Sequence, residues 1–100
     1  MPVISTETVF RKNSRIAWRA IADEAVLVPV ARTQSEARTA FVLNETAARV
    51  WELLDGARSL GEILETVVRE YEVDAAEASR DLDDLIEHLR AVGVVEEVRG

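Results

Sequence analysis

The spacing of apolar residues changes character near residue 43. Before it they come in short runs and alternations; after it they recur every three or four positions through Val95. Ile16, Trp18 and Ala20 alternate with Ala17 and Arg19, and Asp23-Glu24 turns the chain into the β-branched run Ala25–Val30. That is the pattern of a strand hairpin. Pro29 lies inside the second run; lacking an N–H for a ladder, it puts the strand's end at an edge or a bulge. Arg32–Arg38 is polar and reads as a hairpin loop leading into Thr39–Leu43, TAFVL. These pieces predict a small antiparallel sheet. Residues 1–15 hold Pro2, Ser5, Thr6, Asn13 and Ser14 around one short apolar piece, Val9-Phe10, and read as a loosely ordered arm with a brief strand near Glu7–Arg11.

From Leu43 to Val95 the helical period takes over. Asn44 is an N-cap residue, its side-chain oxygen able to accept from an orphan backbone N–H. Ala47, Val50, Trp51 and Leu54 then form one stripe at i, i+3, i+4 and i+7, closed by Asp55-Gly56. Ser59 with Glu62 three residues on is a capping-box pair, opening a helix striped by Leu60, Ile63, Leu64, Val67, Val68 and Tyr71. Asp74 and Glu77 repeat the start signal ahead of Ala78, Leu82, Leu85, Ile86, Leu89 and Val92. Gly93 supplies the left-handed position after the third helix. Val94–Val98 forms a final strand or trails away. Three helices with short connections pack as a trihelical unit. With the strands the fold class is α+β: a small three-stranded antiparallel sheet packed on a three-helix bundle, winged helix-turn-helix-like. Trp51, Leu54, Leu64, Val67, Leu82 and Leu89 are expected in its core.

One hundred residues suit one domain, expected over 16–98. The 48% hydrophobic content is that of a globular chain, no apolar run reaches the roughly 18 residues of a membrane span, and the N-terminus lacks the apolar segment and cleavage site of a secretory signal. The expected location is the cytoplasm. Without cysteine there is no disulfide, no thiolate metal site and no thiol nucleophile. The charge of −7 divides unevenly, +2 over residues 1–40 and −9 over residues 41–100. A duplex reader presents a basic face to phosphate; here the helical part is acidic, which speaks against nucleic acid.

Candidate chemistry is sparse. His88 is the single histidine, and only Asp84 and Glu87 lie within a helical turn of it, too few for a zinc site. It reads as a solvated surface residue, with Asp84 at i−4 as an ordinary helix contact. The carboxylates Asp81, Asp83, Asp84 and Glu87 sit on a continuous helix without the glycine-punctuated loop of an EF-hand, and general acid–base work needs a desolvated cleft that a domain this small hardly forms. Gly56, Gly61, Gly93 and Gly100 are scattered and make no phosphate loop. No metal, no cofactor and no catalytic activity are expected. What remains is a binding surface: an edge strand beside a helix can receive an extended peptide. In Thr39–Leu43, Phe41 and Leu43 share one face and Val42 the other, with Phe41 serving either core or groove.

Leu43-Asn44-Glu45-Thr46-Ala47 with Val50-Trp51 and Leu53-Leu54, the Ser59-Leu60-x-Glu62-Ile63-Leu64 helix, Glu70–Asp74, and the stripe Asp81-Leu82-x-x-Leu85-Ile86-x-x-Leu89 ending Gly93-Val94-Val95 resemble the PqqD-like family. Such domains are also called RiPP recognition elements, and the likeness spans about residues 16–97. The resemblance implies three strands packed on three helices and a peptide chaperone for peptide natural product biosynthesis. Such a domain binds the leader segment of a ribosomally made precursor peptide as an added strand. It presents that segment to a maturation enzyme, often a radical SAM protein. Carried over, the receiving strand is Thr39–Leu43 and the wall is the helix over 75–92. The implied peptide-binding residues are Phe41, Val42 and Leu43 with Asp81, Leu85 and His88; Asp81 accepts a hydrogen bond from the leader, and Leu85 serves either core or groove. Two other readings stand beside this one. A winged-helix DNA-binding regulator would need a basic recognition helix, whereas the third helix carries Arg80 and Arg90 against Glu77, Asp81, Asp83, Asp84 and Glu87. A partner-binding subunit of an unrelated complex is the other.

Overall fold

The computed structural model describes residues 6–14, 16–29 and 41–98, with Pro29 and Phe41 described in their backbone alone. The loop expected at Arg32–Arg38, Thr39-Ala40 of the expected third strand, and the first five residues of the expected arm lie outside the described residues. In chain order come β1 (Val9–Lys12), β2 (Ile16–Ile21), β3 (Glu24–Pro29), β4 (Phe41–Leu43), α1 (Glu45–Leu53), β5 (Asp55–Ser59), α2 (Leu60–Tyr71), α3 (Ala75–Ala91) and β6 (Val95–Glu97). The architecture is α+β, as the hydrophobic pattern predicts, with two small sheets.

The strands foreseen from alternation make one antiparallel sheet in the order β2-β3-β4, pairing Trp18 with Leu27, Val26 with Val42 and Ala25 with Leu43. Its inner face buries Ala25, Leu27 and Leu43. Period two sends Val26, Val28 and Val42 to the other face, where Val42 is 63% exposed. The brief strand expected near Glu7–Arg11 is β1, the middle of a separate antiparallel sheet in the order β5-β1-β6. Phe10 of β1 is 1% exposed and belongs to the main core. β5, Asp55-Gly56-Ala57-Arg58-Ser59, has no apolar alternation, and the residues linking the first two helices read as a plain connection; its backbone nevertheless pairs with β1 across a bulge between Val9 and Arg11. The Val94–Val98 alternative resolves as a strand.

All three helix starts follow the expected caps. Asn44 Oδ1 accepts from Ala47 N at 2.9 Å. Ser59 and Glu62 complete a reciprocal capping box, Glu62 N donating to Ser59 Oγ at 3.2 Å and Ser59 N to Glu62 Oε1 at 2.8 Å. Asp74 accepts from Glu77 N at 3.1 Å. Each cap contributes about 1 kcal/mol. α3 ends as glycine at position 93 foretells: Gly93 has φ +80°, Gly93 N donates to Arg90 O and Val94 N to Leu89 O, both at 3.1 Å. That pair of bonds is the Schellman closure, and Leu89 and Val94, each 1% exposed, both belong to the core. α2 ends less comfortably, on Glu72 in the left-handed region at φ 51°. A non-glycine residue there costs about 1 kcal/mol, and it lets a three-residue connection turn straight into α3.

The first amides of α2 are taken up by the chain leading into β1: Leu60 N donates to Thr8 O at 2.9 Å and Gly61 N to Thr6 O at 2.8 Å. A Cβ at position 61 would lie 3.2 Å from Thr6 O, so glycine permits this approach. Trp51, fully buried, joins the two sheets. Trp18 meets it edge-on at 6.0 Å and 82°. The Lys12 ammonium lies 5.3 Å from the Trp51 ring centre and 5.6 Å from that of Trp18, and donates to Leu54 O at 3.0 Å. Burial lowers the Lys12 pKa, while Asp55 and Glu52 pull it back up. Among the described residues the Trp51 Nε1–H has no hydrogen-bond partner, a cost of about 1–3 kcal/mol set against the largest buried side chain of the core.

Candidate functional site

β4 is an edge strand: β3 pairs one side of it, and no described strand pairs the other. The chain passes from β4 through Asn44 directly into α1, so the start of α1 stands at the end of this edge. α1 packs on β3 and β4, whereas α3 packs chiefly on α2 and β6. The helices therefore diverge where α1 begins, and a groove of about 370 Å³ opens between them. Asn44, Thr46, Ala47 and Val50 form its α1 wall, Leu64 and Val67 its floor, and Val73, Glu77, Ala78, Asp81, Leu82 and Leu85 its α3 wall. The volume falls in the range of small-ligand and side-chain pockets. A second hollow, about 140 Å³ between the β2–β3 hairpin and α1, is lined largely by Asp23, Glu24, Glu45, Arg49, Glu52 and Tyr71, and offers little apolar surface.

The groove is apolar inside and acidic at its rim. Val50, Val67, Ala78 and Leu82 are buried, Leu64 and Leu85 half-buried, and Val73 is 41% exposed. Glu77 and Asp81 are exposed, outside the desolvated setting of a general acid or base. Among the described residues no three His, Asp or Glu side chains converge as metal ligands, and no helix is long and apolar enough to cross a membrane.

The six residues singled out from sequence fall into different places. Asp81 and Leu85 line the groove together. Leu43 is 7% exposed and packed in the core, and Val42 points off the outer face of its sheet. The Phe41 backbone pairs with Leu27 in β4; its side chain lies outside the described residues. His88 is exposed, nearly one turn beyond Leu85 on α3, and does not line the groove. Asn44, Thr46, Val73 and Glu77 were not foreseen as lining residues. Val73 had a legible signal: a lone valine between Glu72 and Asp74, outside either helical stripe. Ala47, Val50, Leu64, Val67, Ala78 and Leu82 read as core from their periodicity. Leu64 is half-buried, and all six also face the groove.

Residues 24–95 match the family model described as Coenzyme PQQ synthesis protein D (PqqD). The chain belongs to the PqqD family. The matched span runs from β3 to the first residue of β6 and includes the edge strand and every groove-lining residue. A protein of Rhodopseudomonas palustris (strain HaA2) described as a PqqA binding protein is 29% identical over 87 residues, which cover 87% of this chain and 72% of that one. The structure described as TbiB1 in complex with the TbiA(beta) leader peptide is 28% identical and superposes with a TM-score of 0.74, covering 90% of this chain and 99% of TbiB1. One of these relatives is thus named for binding PqqA, and the other is in complex with a leader peptide.

Proposed function

We propose that this protein is a non-catalytic peptide chaperone of the cytoplasm. It takes the leader segment of a ribosomally made precursor peptide as a further strand on β4 and presents it to a maturation enzyme, of which radical SAM proteins are the expected class. The single observation that carries the reading is the edge of β4, unpaired among the described residues, from which the chain passes through Asn44 into the wall of a groove whose floor is aliphatic. An added strand satisfies its backbone groups on the edge, and alternate side chains drop into the groove between α1 and α3. The likeness to TbiB1, a protein in complex with a leader peptide, supports the peptide-binding part of this reading. Asp81 and Leu85 meet the bound segment from α3. Phe41, Val42 and Leu43 supply the strand it pairs with, Val42 and Leu43 through their backbone. His88 sits where a longer segment would pass. The acidic α3 wall repels a phosphate backbone, and no observation favours the DNA-binding reading.

The test is an NMR titration of the isotope-labelled protein with the leader of the precursor encoded beside it. Amides of Phe41–Leu43 and the groove-facing side of α3 shift, while those of β1, β5 and β6 stay in place. Peptides N-methylated at successive positions sharpen the test. A strand hydrogen bond contributes about 0.5–1.5 kcal/mol, so methylation weakens binding at alternate positions, those facing β4, by up to about tenfold. Shifts confined to the other sheet, or indifference to N-methylation at every position, refute strand addition.

A further inference from the structure

The groove's rim says what kind of segment it takes. Resting on the peptide-binding reading, we infer that the bound segment carries a lysine or arginine two residues from its apolar anchor, held between Glu77 and Asp81. Of the twelve lining residues two are acidic and none is basic, and both acids stand on the α3 wall while the α1 wall offers the neutral Asn44 and Thr46. They are i and i+4 neighbours on one helix face, an arrangement of like charges that by itself disfavours the helix. Four carboxylates elsewhere are held in ion pairs: Glu96 with Arg11 at 2.9 Å, Glu52 and Glu70 with Arg49 at 3.2 and 2.8 Å, and Asp55 with Arg58 at 2.6 Å. Glu77 and Asp81 form no ion pair among the described residues, so their charge is available to an incoming cation.

Geometry sets the spacing. Four helical residues advance about 6 Å along α3, and two residues of an extended peptide advance about 6.6 Å. In a strand, residues i and i+2 face the same side and i+1 faces away. For a segment running along α3, a side chain seated against Leu85 has its same-side neighbour about one helical turn on, the step that separates Leu85 from Asp81 and Asp81 from Glu77. The expected signatures are apolar-x-basic or basic-x-apolar. The stem of a lysine or arginine also lies well on the exposed Val73 while its head reaches the carboxylates.

The experiment is a selection from a displayed random-peptide library against the intact protein and against the Glu77→Gln/Asp81→Gln double variant, with Glu65→Gln on the far surface of α2 as control. The wild type and E65Q enrich peptides with a basic residue two positions from an aliphatic or aromatic one. The double variant keeps the apolar preference and loses the basic one. Selected peptides bind it about five- to tenfold more weakly, and raised salt weakens their binding to the wild type. Apolar enrichment with no basic bias, or the same bias in the double variant, overturns this inference and leaves peptide binding standing. No enrichment of any peptide overturns the peptide-binding reading and this inference with it.

Discussion

The two sheets have the same strand number and opposite uses. The β5-β1-β6 sheet fastens the molecule: its middle strand buries Phe10, its flanking backbone groups cap α2 and reach Val94, and its surface carries the Arg11–Glu96 ion pair. The β2-β3-β4 sheet is anchored by its inner face, yet it leaves the edge of β4 without a described partner beside an aliphatic groove. Unpaired strand edges are liabilities that proteins ordinarily blunt, and the edge of β4, without a described partner next to a pocket, fits the receptor role proposed for it. One sheet closes the fold, and in the proposed function the other receives a strand.

If that division holds, damage to each sheet has a different readout. Phe10→Ala removes a fully buried aromatic from the fastening sheet and costs about 3–5 kcal/mol of unfolding free energy, measured by urea denaturation; a loss below about 1 kcal/mol would deny that sheet its structural role. Leu85→Ala acts at the groove. Being half-buried, the side chain gives up only about 1–2 kcal/mol of stability, whereas leader affinity by calorimetry falls about tenfold. Asn44→Ala and Ser59→Ala sharpen the contrast, since each removes an N-cap and costs about 1 kcal/mol in thermal unfolding. Asn44 lines the groove and Ser59 does not, so N44A alone weakens peptide binding.

The smallest effect is one of pH. Asp55 accepts from the Arg58 and Ala57 backbone N–H groups and lies beside the Arg58 guanidinium, which holds its carboxyl below the ordinary range. A depressed carboxyl contributes stability above its unfolded pKa, and that contribution is lost as the pH falls through the folded value. Asp55→Asn therefore flattens the acid limb of the stability profile slightly. The Arg49 hydrogen bonds lower Glu70 in the same direction, and Glu70→Gln should act likewise.

The sequence made the helices and the second sheet legible because their signals are local. Asn44, Ser59, Glu62, Asp74 and Gly93 each name a helix end by hydrogen-bond chemistry confined to a few residues. Alternation in β2 and β3 is written in side chains. β5 was not legible: its side chains are polar and mostly outward, and only its backbone, paired with a strand over forty residues away, makes it a strand. The groove was half legible for a related reason. Leu82 and Val67 show the same periodicity whether a neighbour covers them fully or a gap remains, and that gap depends on how α1 and α3 diverge. Asp81 and Leu85 came from family likeness, and Glu77 stayed hidden inside a capping signal that accounted for it.

The central claim is that the peptide becomes the next strand after β4. Intermolecular nuclear Overhauser contacts between labelled protein and unlabelled leader measure it directly. The account predicts backbone contacts from the peptide to Phe41–Leu43, together with side-chain contacts to Leu64 and Leu85. Contacts confined to the side chains of Val26, Val28 and Val42 on the outer face, with none to the β4 backbone, or contacts confined to β1 and β6, would contradict it.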